Sequence, residues 1–525
     1  MLWLRLPEPR RDIAPAFSDA ESAQAWLGKL APALPLAVFS ALLEQIQAID
    51  GATMPAAQAI ALLNLLRAAA VPLQATLEER FTRRALPMLA DEERTFEITH
   101  QLWARLGIAY LRRVPQCTPA NRCLPLQRAA TAFRMAEYCH FLAARTCPAL
   151  LDHLLLSVLA TAEVNGVLVK PLADPDFPQY GKGSISGQLA WAFLIRTIDP
   201  YHLTASQLPV VNRAFSRWRE LVNFQEAAPG GRETYTLDLS LLFGNDLPEG
   251  IPLYLNLRSV AHKLAQRVKL LETGESPEAL KLGRTLSAAA AIRLLKDLEQ
   301  HLYPRKKRRS NETGEIELVF GAENAYAVLN NRILNPASGH GDSGSAVNYQ
   351  RMAIFGRDQV SELPTSKKRL KVDGEPWTII DGLVKRAPMA QASDSRLLSP
   401  CLVASHVGGN PRLGIMSSLQ CDADGALSAQ LSWYDDGVEA GNLKRFAPKG
   451  NKLVRVPAFL LKHSAGHSLI LPADTGARLG IALELTDLSV EDLIPTEVIE
   501  QGTNFVHLAC KIKQESPEKP ITRTR

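Results

Sequence analysis

Tyr303-Pro-Arg-Lys-Lys-Arg-Arg-Ser-Asn-Glu-Thr-Gly-Glu-Ile-Glu-Leu-Val-Phe320 divides the sequence into two parts. Before this stretch the hydrophobic periods are those of helices, and after it most are those of strands. Within it, Ile316, Leu318 and Phe320 alternate with two glutamates, which predicts a half-buried strand with a charged outer face. The sequence therefore predicts an α+β chain, with a helical-hairpin, solenoid-like N-terminal region and an antiparallel β-barrel C-terminal region.

Length and composition indicate a soluble protein with several domains. The 525-residue chain is too long for one hydrophobic core, and 46% of its residues are hydrophobic and 22% charged. A net charge of +5 is too small at this length to suggest a nucleic-acid coat or a membrane-surface protein. Every apolar run of about 18 residues contains a charge, so the sequence predicts no membrane span.

The cysteines favour neither a metal site nor a disulfide framework. Their number is odd, no pair has metal-ligand spacing, and no histidine cluster accompanies them. The seven positions are Cys117, Cys123, Cys139, Cys147, Cys401, Cys421 and Cys510. The N-terminus is charged and lacks the apolar run of a signal peptide. We expect a cytoplasmic protein without a bound metal or cofactor.

Residues 1–225 are predicted to form a helical-hairpin domain. Apolar residues recur at helical spacing, for example at Ile60, Leu63 and Leu66. A later stripe includes Phe215 and Trp218, which we expect in the core of this domain. Successive helices with short polar breaks are typical of helical scaffolds, so we expect this domain to bind a protein partner.

Residues 226–302 are predicted to be an α/β connecting region. Two short strands are expected at 234–240 and 251–257, followed by a helix over 259–272. A second helix is expected to begin at Ser276-Pro277, a favourable N-cap and first-turn pair, and to run to about Leu302.

The rest of the chain is predicted to be β-rich. A β-barrel is expected over 303–445, interrupted by a helix at 322–331, and an additional small β-region over 446–513. Short runs such as Trp377-Thr-Ile-Ile-Asp381 and Ala429-Gln-Leu-Ser-Trp433 are separated by turns, as in antiparallel barrels. Residues 514–525 are charged, contain prolines and are predicted to be a disordered tail.

Arg305 and Arg309 are the strongest indication of a ligand. Each guanidinium carries a planar fork of donors, so two of them beside a β-domain suit a planar, anionic ligand. With Arg305-x-x-x-Arg309 followed by a strand and later by Trp377-Thr-Ile-Ile-Asp381, the sequence resembles the PilZ domain, a small β-barrel receptor for cyclic di-GMP. The whole chain also resembles a proteobacterial group of large proteins that join a helical region to a PilZ-like end.

The resemblance implies that Arg305 and Arg309 grip the phosphates and guanine edges of cyclic di-GMP, with Asp381 nearby on a strand. The second family motif, Asp/Asn-x-Ser-x-x-Gly, is incomplete, because Leu383 stands in place of serine and Arg386 in place of glycine. The resemblance thus predicts a non-enzymatic signalling protein that binds cyclic di-GMP, weakly if the altered motif matters. The alternative is a nucleotide-independent interaction scaffold with a degenerate PilZ-like domain.

Other readings of the basic run remain open. A run of cations after a helix also complements the helix macrodipole or forms a solvated linker. A nuclear-localisation or nucleic-acid patch is disfavoured because aromatic residues do not interleave with the cations.

Three further motifs are weaker. Gly341-Asp-Ser-Gly-Ser345 resembles the nucleophile segment of trypsin-like proteases, but the region before it is helical and supplies no second barrel for a triad around Ser343. Gly181-Lys-Gly-Ser184 is the nearest approach to a phosphate cradle, yet no strand is predicted before it, so we interpret it as a loop. His463 and His467 lack a third metal ligand. The sequence therefore predicts no catalytic residues.

Overall fold

The computed structural model describes residues 5–228, 235–302, 313–334, 372, 374–388, 396–434, 437–446, 453–463 and 466–513. The chain divides into two compact units. Unit 1 contains residues 1–308, 388–397 and 420–427, and unit 2 contains residues 309–387, 398–419 and 428–525.

Unit 1 is mainly helical. Its helices are α1 (Ala20–Leu27), α2 (Pro35–Gly51), α3 (Ala56–Ala70), α4 (Gln74–Phe81), α5 (Ala90–Arg113), α6 (Cys123–Ala143), α7 (Ala149–Val164), α8 (Ile185–Thr197), α9 (Gln207–Trp218), α10 (Ser240–Phe243), α11 (Arg258–Glu272) and α12 (Ala288–His301). Its short strands are β1 (Leu172–Ala173), β2 (Lys182–Gly183), β3 (Asn223–Gln225), β4 (Thr236–Asp238) and β5 (Tyr254–Asn256). β1 pairs with β2, and β5 lies between β3 and β4 in an antiparallel sheet.

Helix α6 is the centre of unit 1. Every one of its residues except Leu124 is buried, including Arg128, Arg134, Glu137 and His140. A helix buried on all sides has no solvent-facing polar stripe, which explains why this segment lacks a clear amphipathic period. Phe215 and Trp218 on α9 are 0% and 6% exposed, which confirms that they are core residues.

Helix α12 begins later than predicted. Ser287, not Ser276, is its N-cap and accepts a hydrogen bond from the backbone N–H of Ala290. Ser276 caps only an isolated turn through the backbone N–H of Ala279. Gly283, between the two serines, has φ of +102°, a conformation that cannot continue a helix. The predicted early start of the helix was therefore wrong.

The run Ala56–Phe81 is long and apolar enough to cross a membrane by length and composition. It comprises α3, a single 3-10 turn and α4. Arg67, in α3, is fully buried and forms ion pairs with Asp174 and Asp176. A charge paired in this way is what an internal helix of a folded domain requires.

Two segments from the later part of the sequence belong to unit 1. Arg396 donates hydrogen bonds to the carbonyl oxygens of Ala85 and Pro87 and pairs with Glu92 at 2.5 Å. In the second segment, the backbone N–H of Thr146 donates to the carbonyl of Cys421 at 3.0 Å. Unit 1 is therefore not a continuous stretch of sequence.

The described residues of unit 2 form strands and one α-helix. The elements are β6 (Gly314–Phe320), α13 (Ala322–Asn330), β7 (Glu375–Ile380), β8 (Leu383–Arg386), β9 (Cys401–Val407), β10 (Asn410–Cys421), β11 (Leu427–Trp433), β12 (Glu439–Phe446), β13 (Leu453–His463), β14 (Gly466–Pro472), β15 (Leu483–Thr486), β16 (Asp492–Gln501) and β17 (Phe505–Ile512). Strand β6 and helix α13 confirm the two elements predicted here. Ile316 and Leu318 are buried and Phe320 is half-buried, in agreement with the alternating pattern.

The strands close into two six-stranded barrels. The first has the order β10-β11-β8-β7-β6-β9, and the second has the order β12-β13-β14-β17-β16-β15. The first barrel ends with β11 and the second begins with β12. The boundary predicted from the sequence, between residues 445 and 446, lies at the end of β12. The α+β fold class, helical before and barrel-forming after, is confirmed.

Helix α13 packs within a core to which both barrels contribute. Tyr326 of α13 lies in one buried cluster with Leu402 and Ile415 of the first barrel and Phe459 and Phe505 of the second. The first barrel, α13 and the second barrel are thus parts of one folded unit.

Candidate functional site

Of the three residues predicted to bind cyclic di-GMP, the structure describes one. Arg305 and Arg309 lie outside the described residues. Asp381 is described, and it lies in the two-residue turn between β7 and β8, not on a strand as expected. Asp381 and Gly382 have φ of +53° and +79°, the conformation of an Asp-Gly hairpin turn. The Asp381 side chain is therefore exposed at the tip of a tight hairpin.

The hairpin turn lies at the end of the first barrel where β6 begins. Gly314, the first residue of β6, is paired with Ile379, two residues before Asp381. The chain that carries the two arginines leads into β6 at this same end. The register therefore brings the start of β6 and Asp381 to one rim of the barrel.

Arg386, which replaces the glycine of the family motif, lies at the opposite end of β8 from the turn. Its guanidinium is buried and donates to the Glu375 carboxylate at 2.7 Å. It also lies over the Trp377 ring, with Cζ 5.4 Å from the ring centroid. Arg386 is thus held inside the barrel and does not share the exposed tip with Asp381.

A second polar concavity lies in unit 1. It is an open groove of about 1400 Å³ between α4, the loop 178–182 and α9. We call it the helical groove, and its charged lining includes Glu78, Glu79, Arg84, Lys182, Arg213 and Arg217. Pockets for small ligands typically measure about 300–1,000 Å³, so the groove is large enough for a ligand bigger than a mononucleotide.

The cations of the helical groove converge from two elements. Arg213 and Arg217 are one helical turn apart on α9, a spacing that places both on the same face. Lys182 faces them from the loop. All three are exposed, and none forms an ion pair with any residue that the structure describes. The groove therefore presents three cations without an ion pair among the described residues, although Glu78, Glu79 and Glu220 also line it.

Glu78 on α4 is the acidic counterpart in the groove. Its carboxylate accepts a hydrogen bond from Gln74 Nε2 at 2.7 Å, and Gln74 in turn accepts one from Trp103 Nε1 at 2.6 Å. Burial raises the pKa of Glu78 to about 7, although the Gln74 hydrogen bond and the charge of Arg134 act in the opposite direction. The charge of this group therefore changes near neutral pH.

An aromatic and guanidinium stack supports the loop wall of the groove. The Tyr180 ring meets Trp191 edge to face at 5.1 Å, and Trp191 Nε1 donates to Asn212 at 2.8 Å. Arg134 lies against the Trp191 ring, with Cζ 3.5 Å from the ring centroid. Burial lowers the pKa of Arg134 to about 10. These contacts hold Tyr180 in place at the groove wall.

The N-terminus of α8 forms an anion cradle that holds the carboxylate of Glu220. Glu220 accepts hydrogen bonds from the backbone N–H of Ser184 at 3.1 Å and from its hydroxyl at 2.7 Å. Gly187 makes room for this carboxylate, since an added Cβ would lie 1.9 Å from Glu220 Oε1. The segment Gly181-Lys-Gly-Ser184 thus binds an anion from within the chain.

The loop between β1 and α8 is tied to the helices by buried ion pairs. Arg67, 0% exposed, contacts both Asp174 and Asp176, and Arg128 contacts Asp174 at 2.5 Å. Because these charges neutralise one another in the interior, the loop that forms one wall of the groove has a fixed attachment.

The helical groove was not predicted from the sequence. Its residues come from four separated parts of the chain, and no motif spacing joins them. The one available signal was Arg213-x-x-x-Arg217, which has the same spacing as the predicted arginine pair but lies within an amphipathic helix. Of the other motifs, Ser343 lies outside the described residues, and His463 and His467 lie on the hairpin of β13 and β14.

Residues 21–229 match a family model described as the cyclic-di-GMP receptor FimW, N-terminal domain. This region resembles part of a cyclic-di-GMP receptor. The match covers less than half of the chain, and it lies in the helical region and not at the C-terminal barrel where the PilZ resemblance was placed. No curated protein and no solved structure gives a significant match.

The FimW-like region contains the whole helical groove. It extends from α1 through β3, whereas Asp381 lies far outside it. The matched family is described as that of a receptor.

Proposed function

We propose that the protein is a non-enzymatic receptor for cyclic di-GMP that acts in cytoplasmic signalling. The observation that carries this proposal is the match of residues 21–229 to the N-terminal domain of a cyclic-di-GMP receptor. Two closed six-stranded barrels follow that region, and the PilZ domain that the sequence resembles is also a β-barrel. The helical unit is proposed to carry the signal to a protein partner.

The proposed nucleotide contacts in the β-region are Arg305, Arg309 and Asp381. The register of β6 and β7 supports this assignment, because the strand that follows the arginines begins at the rim where Asp381 is exposed. Two guanidinium groups suit the phosphates and the O6/N7 edge of guanine, and a carboxylate suits guanine N–H donors.

Isothermal titration of the full chain with cyclic di-GMP tests the proposal. We expect saturable binding by the wild type and at least about tenfold weaker binding by an Arg305→Ala, Arg309→Ala variant, because each charge-assisted contact is worth about 1.5–3 kcal/mol. The matched control is Arg11→Ala, Arg94→Ala, which also removes two charges but from exposed positions.

Equal binding by the wild type and the Arg305, Arg309 variant would refute the assignment of these residues while leaving the receptor function intact. Absence of binding by the wild type would refute the receptor function. The chain would then be better explained as a nucleotide-independent interaction scaffold.

A further inference from the structure

We infer that the helical groove is a second binding site for a guanine nucleotide carrying two or more negative charges, distinct from the β-barrel rim. The inference rests on the proposed function for the identity of the ligand as cyclic di-GMP. It assigns binding to Arg213, Arg217 and Lys182, which lie in the FimW-like region and outside the family motif considered above.

The first argument is charge. Arg213, Arg217 and Lys182 line one concavity and have no ion-pair partner among the described residues. Like charges on one helix face at this spacing repel each other, so their convergence costs stability in the free chain. A ligand with two phosphates removes that cost and forms charge-assisted hydrogen bonds, which are stronger than neutral ones.

The second argument is complementarity to a base. Guanine presents N–H donors on one edge and the O6/N7 acceptors on the other. Glu79, and Glu78 in its ionised form, line the groove from α4 and supply carboxylate acceptors. Tyr180, which is half-buried, adds aromatic surface to the lining, and bases stack on such rings. Cations, carboxylates and aromatic rings thus occur together in one groove.

The third argument is prior organisation. Tyr180 is held by Trp191, and its backbone carbonyl accepts a hydrogen bond from Arg219 at 2.8 Å. The loop is also tied to the helices through Asp174 and Asp176. A wall fixed in this way loses little conformational entropy when a ligand binds, which favours affinity.

The charges also permit one competing occupant, an acidic protein segment. The groove favours the nucleotide over an extended acidic peptide because its lining also contains the carboxylates of Glu78 and Glu79, which would repel a run of acidic side chains. A nucleotide can use both kinds of side chain, because its phosphates bind cations and the N–H donors of its guanine edge bind carboxylates.

The test is a titration of the full chain with cyclic di-GMP in four forms: the wild type, Arg213→Ala with Arg217→Ala, Arg305→Ala with Arg309→Ala, and the control Arg11→Ala with Arg94→Ala. Binding stoichiometry and affinity are read by calorimetry, and circular dichroism verifies the fold of each variant. We expect the Arg213, Arg217 variant to lose one site, or to weaken it by at least about tenfold, while the control binds as the wild type does.

The outcomes separate the two proposals. If the Arg213, Arg217 variant binds with wild-type stoichiometry and affinity, the groove inference is overturned and the receptor function stands. If the wild type does not bind cyclic di-GMP, the receptor function fails, and the same variants are titrated with the linear dinucleotide pGpG. Loss of pGpG binding in the Arg213, Arg217 variant alone would support the groove as a guanine-nucleotide site. Binding of a poly-glutamate peptide there, with neither nucleotide bound, would overturn it.

Discussion

At the residue scale, the most informative side chains are the buried charged ones. Arg67 is enclosed by the helices of unit 1, and its partners Asp174 and Asp176 come from a loop more than a hundred residues later in the sequence. Arg134 is 4% exposed, lies against the Trp191 ring and donates a hydrogen bond to the Gln188 amide oxygen. Such groups can be buried only when their partners are in place. Changing one of them therefore tests whether the loop and the groove are intact.

Replacement of Arg67 with alanine tests the attachment of the loop. The change leaves the Asp176 carboxylate without its cation and removes one of the two cations around Asp174. Removing one partner of a buried ion pair costs about 3–5 kcal/mol, and we expect the free energy of unfolding to fall by about that amount. Urea unfolding measures it, with Arg94→Ala as the control for loss of an exposed arginine. A change below about 1 kcal/mol would contradict this interpretation.

Replacement of Glu78 with glutamine tests its titration. The pKa of glutamate in an unfolded chain is about 4.3, whereas the pKa of folded Glu78 is raised to about 7. Between these values the folded chain binds more protons than the unfolded chain, so wild-type stability falls as pH rises. Between pH 5 and pH 8 the free energy of unfolding should fall in both proteins. We expect the fall to be about 1–2 kcal/mol smaller for the Glu78→Gln variant than for the wild type.

Urea unfolding at several pH values measures this difference. Glu44→Gln on α2, an exposed position, is the matched control and should keep the wild-type pH dependence. If Glu78→Gln keeps the same slope as the wild type, Glu78 does not titrate near pH 7.

At the element scale, local periodicity predicted the elements whose burial follows one simple pattern. Strand β6 was predicted because apolar residues alternate with glutamates, and a helix was predicted over 322–331, where α13 lies. The start of α12 was missed because a favourable cap at Ser276 is overruled by Gly283 with φ of +102°. The cradle at Ser184 was missed because its anion, Glu220, lies 36 residues away. Local patterns carry no information about such distant partners.

Gly187→Ala tests the cradle at the N-terminus of α8. The new methyl group would overlap the Glu220 carboxylate, so we expect a loss of about 1–3 kcal/mol, as for other overpacked sites. Adding Glu220→Ala should restore part of that loss, because the obstacle is removed. Thermal unfolding of the two single variants and the double variant gives the coupling energy. Strictly additive effects would show that the two residues do not meet.

At the scale of the whole molecule, the fold class followed from the sequence but the candidate groove did not. The change from helical to strand periods near Tyr303 correctly divides the chain into a helical part and a barrel part. The sequence did not predict that residues 388–397 and 420–427 belong to unit 1. Sequence order does not show which residues a loop will pack against. The groove is likewise assembled from α4, α9 and a loop that only the tertiary fold brings together.

Calorimetry of the full chain tests the division into units. Two compact units in one chain should not unfold in a single two-state transition, so we expect the van't Hoff enthalpy to fall below the calorimetric enthalpy. Arg67→Ala should shift one part of the transition and Trp377→Ala, which truncates a buried barrel residue, the other. One two-state transition shifted equally by both variants would contradict this expectation.

The closure of both barrels limits how a partner protein can engage the β-region. In a closed barrel each strand has a neighbour on both sides, so neither barrel ends in an outermost edge strand. Among the described strands, those at open sheet edges are only two or three residues long. A partner therefore finds no outer edge of either barrel to extend with a strand of its own, as peptide ligands of many β-domains do. A partner is instead expected to bind the side chains on the barrel surface. The same closure protects the chain from edge-to-edge aggregation.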